Sequence, residues 1–303
     1  MAGDTKPVDR LAWLERTRER NLATGRLVGV PQPFLKWAGG KRQLIPQLSR
    51  LLPDEFEGYV EPFVGGGALF FFLLPDRAVL IDNNPELVNV FKVVRDDVEA
   101  LIAELKKHPH DKEHYYEVRS WDRRPDFAER SPVERAARTV YLNRTCYNGL
   151  YRVNSKGQFN VPFGRYANPT ICDEENLRAA SAALEGAKLV LGSFEECLRF
   201  VEAGDLVYLD PPYQPLSATS NFTGYTRDGF GEDEQRRLRE VFGELDRRGA
   251  HVALSNSAHP FVLDLYEGYE VNEVVAKRAI NCKASRRGGV GEVVVTNYSN
   301  GTS

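Results

Sequence analysis

The sequence predicts an α/β protein built on a mostly parallel seven-stranded sheet. Short β-rich segments recur along the chain, and segments with helical periodicity lie between several of them. Strands that alternate with helices indicate parallel pairing. No helix-length segment separates the last two strands, which are therefore expected to pair as a hairpin. The predicted strands are Tyr59–Phe63, Ala78–Asp82, Lys188–Gly192, Asp205–Asp210, His251–Ser255, Tyr269–Lys277 and Glu292–Tyr298.

Two helices carry clear boundary residues. Apolar residues in Leu238–Leu245 recur at the spacing of one helix face, and Gly249 is placed to end that helix. Ser131, Pro132 and Glu134 form the pattern of an N-cap, a first-turn proline and a capping box. The sequence therefore predicts helices that begin at Pro132 and end before Gly249.

About a hundred residues between Asp82 and Lys188 show helix and loop patterns but no strand. This interruption predicts a helical subdomain inserted into the sheet domain. The expected division is an N-terminal extension (1–32), a sheet domain (33–91 with 188–303) and the insertion (92–187).

Composition excludes several classes of protein. The chain has 303 residues, a net charge of -3 and 42% hydrophobic residues, so it can build a full core without disulfides. Its longest apolar run, Ala68–Leu74, is far shorter than the ~20 residues of a membrane span. Nothing resembles a signal peptide, and the cysteines and histidines lack metal-ligand spacing. We expect a cytoplasmic protein with no metal and no membrane partner.

Charge is distributed unevenly along the chain. No acidic residue occurs between Arg135 and Cys172, where basic side chains alternate with aromatic and amide residues. A second acid-free stretch spans Val274–Gly291. Both stretches are compatible with solvated loops, but the mixture in the first favours a nucleic-acid surface, since cations bind phosphates and flat side chains contact bases.

A glycine-rich turn follows the first predicted strand. Gly65, Gly66 and Gly67 connect that strand to a helix, and Asp82 ends the next strand 17 positions after Gly65. This arrangement suits a nucleotide-like cofactor, with the acid near ribose hydroxyls, although a simple tight turn gives the same pattern. The third, helix-packing glycine of the dinucleotide fingerprint is absent, which disfavours NAD.

The residues Asp210-Pro211-Pro212-Tyr213 follow a predicted strand. Prolines fix the backbone, so a carbonyl and the Asp210 carboxylate can together accept the two hydrogens of an exocyclic amine. Tyr213 can stack on the heterocycle that carries the amine. This grip suits in-line methyl transfer from a sulfonium, whereas an ordinary Asp-Pro turn is the structural alternative. Methylation of a cytosine ring carbon would need a cysteine nucleophile, and Cys146 is expected to be structural.

Several blocks in sequence order resemble the bacterial DNA adenine methylases of the Dam type, particularly the GATC-specific modification enzymes of restriction systems. The blocks extend from about Phe34 to about Tyr298, without the N-terminal extension. They are FLKWAGGK (34–41), EPFVGGG (61–67), YNGLYRVN (147–154), QFNVPFGRY (158–166), DPPY (210–213) and PLSATSNFTGYT (215–226).

The resemblance implies a Rossmann-like S-adenosylmethionine-dependent methyltransferase fold with an inserted DNA-recognition subdomain. It assigns the cofactor S-adenosylmethionine to Trp37, Lys41, Phe63, Gly65, Gly67, Asp82, Phe194 and Asp210. It assigns the flipped target adenine to Asp210, Pro211 and Tyr213. It assigns DNA contacts to Lys36, Tyr147, Asn148, Leu150, Arg152, Asn154, Pro162 and Arg165, among which Arg152 reads a guanine.

The resulting hypothesis is a methylase of the adenine amine in double-stranded DNA containing GATC. It works by base flipping and shares only its target site with a cognate restriction endonuclease. Two alternatives remain open at this stage. One is a methylase of cytosine N4 or of RNA adenine, and the other is an inactive DNA-binding regulator.

Overall fold

The computed structural model describes residues 29–37, 41, 44–213, 230–275 and 291–299. The seven strands of this part form one sheet in the order β3-β2-β1-β4-β5-β7-β6. All neighbours pair in parallel except β7, which is antiparallel to both β5 and β6. The strands are β1 Tyr59–Glu61, β2 Ala78–Asp82, β3 Lys188–Leu191, β4 Leu206–Leu209, β5 His251–Ser257, β6 Glu270–Val275 and β7 Gly291–Thr296. The predicted mostly parallel sheet and its terminal hairpin are confirmed.

Helices connect the strands, and most of them lie between β2 and β3 as predicted. In chain order they are α1 Ile45–Leu48, α2 Ala68–Leu73, α3 Pro85–Asp96, α4 Val98–Leu105, α5 Lys112–Arg119, α6 Pro132–Thr145, α7 Glu174–Leu184, α8 Glu232–Arg247 and α9 Pro260–Leu265. Short 3-10 turns follow α5 and α6, and another, Phe194–Arg199, follows β3.

Both predicted helix boundaries are confirmed. The Ser131 hydroxyl accepts from the Glu134 amide and the Glu134 carboxylate accepts from the Ser131 amide, which completes the capping box of α6. Gly249 follows α8 with a φ of 78°, a conformation that side-chain-bearing residues rarely adopt.

Strands β1 and β4 are shorter than predicted at their carboxyl ends. They end at Glu61 and Leu209 rather than at Phe63 and Asp210. Pro62 and Pro211 follow close behind, and a proline has no N–H to continue a ladder. The shortening places Phe63 and Asp210 on loops at the sheet edge.

Apolar side chains cover both faces of the sheet. One buried cluster lies beneath α8 and α9. The other joins strand residues such as Leu80 to Tyr115 and Tyr141 of the helical region. The predicted domain division stays a prediction. Its boundary after residue 91 falls inside α3, and the helical region shares its core with the sheet.

Several predicted features lie outside the described residues, among them the N-terminal extension up to residue 28, the block 215–226 and most of the second acid-free stretch. Within the described ranges, no helix is long and apolar enough to cross a membrane.

Candidate active site and nucleic-acid interface

The sheet reverses its strand order between β1 and β4, and chemistry-bearing residues collect at this edge. Asp82 ends β2, Asp210 directly follows β4, and Glu292 begins the antiparallel β7 at the same edge. Open α/β sheets bind ligands in the crevice at such a switch point.

The glycine turn after β1 is held against an indole. Gly65 has a φ of 48°, and its N–H donates to Asp82 Oδ2 at 3.2 Å. A Cβ at this position would lie 2.9 Å from Trp37 Cδ1, so any larger residue would displace the indole. The turn thus brings Trp37, Gly65 and Asp82 together, and their predicted contact with the cofactor stays a prediction.

Phe70 holds the place of the third glycine of the dinucleotide fingerprint, but Gly67 is also a tightly packed position of this turn. It precedes α2 with a φ of 67°, and an added Cβ would lie 3.3 Å from Phe71 and 3.4 Å from Phe91. The missing side chain therefore lets α2 and α3 pack closely. This packing does not test whether Gly67 also contacts the cofactor, which stays a prediction.

Asp82 is oriented by backbone amides. Its Oδ1 accepts from the Asn84 N–H at 2.9 Å, and Asn84 in turn caps α3. Burial raises the pKa of Asp82 to about 6, although the amides of Asn84 and Gly65 oppose the shift. A fixed carboxylate at the end of β2 matches the chemistry of ribose hydroxyls.

An aromatic cluster borders the same crevice. Phe63 stacks on Phe194 with ring centroids 5.5 Å apart, and Phe230 meets Phe63 edge-on at 5.8 Å. Phe194 is buried, whereas Phe63 is half-buried. The cluster presents a flat apolar surface of the kind that an adenine ring stacks on.

Asp210, Lys41, Tyr213 and Glu292 form a compact polar group, here called the Asp210 pocket. Lys41 Nζ lies 3.1 Å from Asp210 Oδ1, donates to the Tyr213 hydroxyl and lies 4.1 Å from the centroid of the Tyr213 ring. Burial raises the pKa of Asp210 and Glu292 adds to the effect, while the Lys41 ammonium opposes it.

Glu292 and Gln235 were not identified from the sequence. Glu292 Oε2 accepts from the Tyr213 hydroxyl at 3.1 Å and lies 4.0 Å from Lys41 Nζ. Gln235, fully buried in α8, donates to the Pro212 carbonyl at 3.3 Å. A single acid at the start of an apolar strand, and a polar residue on the apolar face of α8, are the sequence features that would have revealed them.

All predicted DNA-contacting residues except Lys36 belong to residues 144–166, here called the basic face. At its start is a 3-10 turn, Tyr147–Gly149, in which Asn148 has a φ of 55°. Tyr147 is 52% exposed, and its N–H donates to the carbonyl of the exposed Pro162 at 2.9 Å. An exposed aromatic ring on a tight turn is available to contact bases.

A small hairpin carries Arg152. Its strands meet at the Val153–Phe159 bridge, and the Asn154 side-chain oxygen accepts from the amides of Lys156 and Gln158 in the turn. Arg152 Nε donates to Asn160 Oδ1 at 2.7 Å. Arg152 is exposed, and no hydrogen bond within the described residues uses its terminal nitrogens, which are donors that a guanine edge can accept.

Lys36 connects the basic face to the glycine turn after β1 (Gly65–Gly67), here called the cofactor turn. Its Nζ lies 3.3 Å from the Tyr166 hydroxyl and 4.3 Å from the centroid of that ring. The next residue, Trp37, stacks on Tyr151 with centroids 5.0 Å apart. The segment 36–37 therefore contacts both functional regions.

The exposed arginines of the basic face, Arg152 and Arg165, have no acidic partner among the described residues, and the more enclosed Arg144 interacts with Asp173 without forming an ion pair. Elsewhere most arginines are paired, as in Arg138 with Asp122 at 2.7 Å. Arg144, Arg152 and Arg165 form no ion pair with any described residue, and burial lowers the pKa of Arg144. Unpaired cations on one surface, next to exposed aromatic and amide groups, are the electrostatic footprint of a nucleic-acid interface.

Cys146 is a structural residue, as expected. It is fully buried, its Sγ lies 3.2 Å from the Leu150 carbonyl, and burial raises its pKa to about 12. The thiol therefore stays protonated and is no nucleophile.

Within the described ranges, no group of three or more His, Cys, Asp or Glu residues could hold a metal ion.

Comparison with known proteins identifies the family to which this chain belongs. The chain belongs to the D12 class N6 adenine-specific DNA methyltransferases, whose family model matches residues 37–280. The sheet is accordingly the α/β fold of S-adenosylmethionine-dependent methyltransferases.

The similarity to individual relatives extends over most of this chain and over nearly the full length of each relative. The Type II methyltransferase M1.LlaDCHI of Lactococcus lactis is 47% identical over 89% of this chain and 96% of its own. M.MjaIII of Methanocaldococcus jannaschii is 46% identical over 88% and 99%, respectively. The DNA adenine methylase of Haemophilus influenzae is 34% identical over 87% and 92%.

Proposed function

We propose that this chain transfers a methyl group from S-adenosylmethionine to the exocyclic amine of adenine in duplex 5'-GATC-3', after flipping the base out of the helix. It acts as the protective methylase of a restriction–modification system. The more similar relatives named above, at 47% and 46% identity, are Type II methyltransferases, which favours protection over a housekeeping role.

The arrangement of Lys41 in the Asp210 pocket carries this proposal. An amino nitrogen lies within hydrogen-bond distance of Asp210 and over the Tyr213 ring. A target amine would need the same carboxylate and the same aromatic face. In the free protein, the ammonium of Lys41 therefore stands in for the amine of the base.

The residues of the cofactor turn fit S-adenosylmethionine. That molecule supplies an electrophilic methyl group on a sulfonium. Asp82 provides the carboxylate for ribose hydroxyls, and Trp37 and Phe63 provide flat surfaces at the same edge of the sheet. The chemistry of these side chains matches a nucleoside with a charged amino-acid tail.

The chain's own residues then act mainly by positioning. Asp210 and the Pro211 carbonyl accept the hydrogens of the amine and direct its lone pair toward the methyl carbon, and Tyr213 stacks on the ring. The nitrogen–carbon bond would form as the sulfur–carbon bond breaks, which would release neutral S-adenosylhomocysteine, and the methylated nitrogen would lose one proton to solvent by way of the Asp210 carboxylate. Such positioning accounts for much of the acceleration of an in-line transfer. No protein nucleophile is required, in keeping with the buried thiol of Cys146.

The basic face supplies the duplex contacts in this proposal. Tyr147, Asn148 and Leu150 enter the helix where adenine leaves, which offsets the few kcal/mol lost in unstacking. Arg152 makes the bidentate contact to guanine, and Lys36 lies near the outer base pair. GATC itself rests on the resemblance of residues 147–166 to Dam-type enzymes.

The test uses methyl-labelled S-adenosylmethionine with a duplex that contains one GATC, a duplex in which that adenine is replaced, and an RNA of the same sequence. Label recovered as N6-methyladenine from the first substrate alone supports the proposal. Label in N4-methylcytosine or in RNA would replace the substrate, and an absence of label with retained DNA binding would indicate the inactive regulator.

A further inference from the structure

Asn143, near the end of α6, connects two segments that the proposed reaction uses. Its Oδ1 accepts from the Lys36 N–H at 2.8 Å, and its Nδ2 donates to the Lys36 carbonyl at 2.7 Å. The same Nδ2 donates to the Gly149 carbonyl at 3.0 Å. Only 1% of Asn143 is exposed, so water cannot substitute for these bonds.

The two bonded segments have different tasks. Lys36 directly precedes Trp37, whose ring lies against the Gly65 turn and on Tyr151. Gly149 ends the 3-10 turn that exposes Tyr147. One side-chain amide therefore fixes the distance between the cofactor turn and the turn that faces the duplex.

The Lys36 side chain reinforces this connection. Gly149 has a φ of 63°, and a Cβ there would overlap the stem of Lys36. The ammonium then reaches Tyr166 on the far side of the basic face. Asn143 fixes the backbone of Lys36 and thereby helps to set the position of the Lys36 ammonium.

We propose that Asn143 is a positioning residue that holds the 147–149 turn in register with the Lys36–Trp37 segment, so that the flipped base reaches the Asp210 pocket. This inference rests on the proposed function and adds to it. Asn143 touches neither cofactor nor base. Its effect is expected in the flipping and transfer steps and not in the binding of cofactor alone.

The chain offers a matched control. Asn176 of α7 makes the same pair of bonds to the backbone of Gln32, from the Gln32 N–H at 2.9 Å and to its carbonyl at 3.1 Å. In the described part of the chain, Asn176 forms no hydrogen bond to the 147–149 turn. Asn176→Ala therefore controls for the loss of an amide clamp away from the 147–149 turn, and because Asn176 is less buried than Asn143, the thermal stability of both variants is measured as well.

The experiment compares the wild type, Asn143→Ala and Asn176→Ala on a GATC duplex with 2-aminopurine at the target adenine, whose emission rises when the base is unstacked. Asn143→Ala is expected to lose most of this emission and to lower kcat by about tenfold or more, since small misplacements are costly in transfer reactions. Its Kd for S-adenosylmethionine without DNA should equal that of the wild type. Asn176→Ala should retain both emission and kcat.

The inference would be overturned if the two variants had the same 2-aminopurine emission and the same kcat. It would also be overturned if Asn143→Ala lowered only cofactor affinity or thermal stability. Should Asn143→Ala fail to fold, Asn143→Ser, which leaves a smaller cavity, serves the same comparison. A wild type that methylates no GATC duplex would instead overturn the proposed function, so the two failures are distinguishable.

Discussion

The Asp210 pocket and the basic face differ in how their charged side chains are paired. In the pocket, Lys41, Asp210, Tyr213 and Glu292 satisfy one another. On the face, the exposed Arg152 and Arg165 form no ion pair with any described residue. Buried charges must be paired to be tolerated, whereas exposed cations can await an external anion.

This difference indicates how each region works. The pocket is organised before substrate arrives, so a substitution there should impair the reaction more than DNA binding. The face is completed only by its ligand, so a substitution there should alter affinity or sequence choice more than the chemistry.

The largest effect is expected for Asp210→Ala. Loss of the amine acceptor should reduce methyl transfer by at least about a thousandfold, which is the scale of losing a preorganised transition-state contact. DNA affinity, measured by gel shift, should remain largely intact. Turnover close to that of the wild type would remove Asp210 from the mechanism.

The helices that support the basic face should weaken in acid. His108 stacks on Tyr141 at 4.9 Å, and its Nδ1 lies 2.9 Å from His114 Nε2. Burial lowers the pKa of His108 from 6.5 to about 4. As the pH falls from 6.5 toward 4, the unfolded chain takes up this proton first, so the free energy of unfolding should drop by up to about 3 kcal/mol.

Urea unfolding at a series of pH values measures this loss. His108→Phe removes the titrating group, so its unfolding free energy should fall less between pH 6.5 and 4 than that of the wild type. Parallel curves for the two proteins would show that His108 does not titrate in this way.

Arg152 and Lys156 of the basic face are expected to have different roles, namely recognition of a base and binding of a phosphate. Arg152→Ala should cost about 1–3 kcal/mol of discrimination between GATC and altered sites, because it removes a bidentate base contact. Lys156→Ala, in the turn of the same hairpin, should weaken all sequences equally and lower the salt dependence by about one phosphate contact. Binding titrations at several salt concentrations separate the two, and a uniform loss for Arg152→Ala would make it a phosphate contact.

A smaller effect is expected for Glu292→Gln. The amide still accepts from Tyr213 but no longer attracts Lys41, so Lys41 should bind Asp210 more tightly and compete with the target amine. A fall in kcat of about tenfold, equivalent to about 1.4 kcal/mol, is expected, with unchanged DNA affinity. Glu273→Gln, on the neighbouring β6, is the control, and equal kinetics for both variants would exclude Glu292 from the pocket's function.

The sheet was predictable because its central strands are continuous apolar runs, a pattern that parallel sheets buried on both faces require. The capping box of α6 and the glycine after α8 were equally predictable, since both depend on local residues. The ends of β1 and β4 were predicted too far along the chain. The sequence pattern does not show where Pro62 and Pro211, which lack a backbone N–H, stop the hydrogen bonding between strands.

Glu292 and Gln235 carry local sequence signals, but their partners, like those of Asn143, could not be read from the sequence. Each acts on a segment far away in the chain, and only the folded topology brings β7, α8 and α6 to their partners.

The most direct test of the central claim uses an unmethylated plasmid that carries GATC sites. After incubation with the protein and S-adenosylmethionine, parallel digests use one nuclease blocked by adenine methylation at GATC and one that depends on it. The account predicts protection from the first and cleavage by the second for the wild type, and neither for Asp210→Ala. Unprotected wild-type plasmid, or protection by the variant, would contradict it.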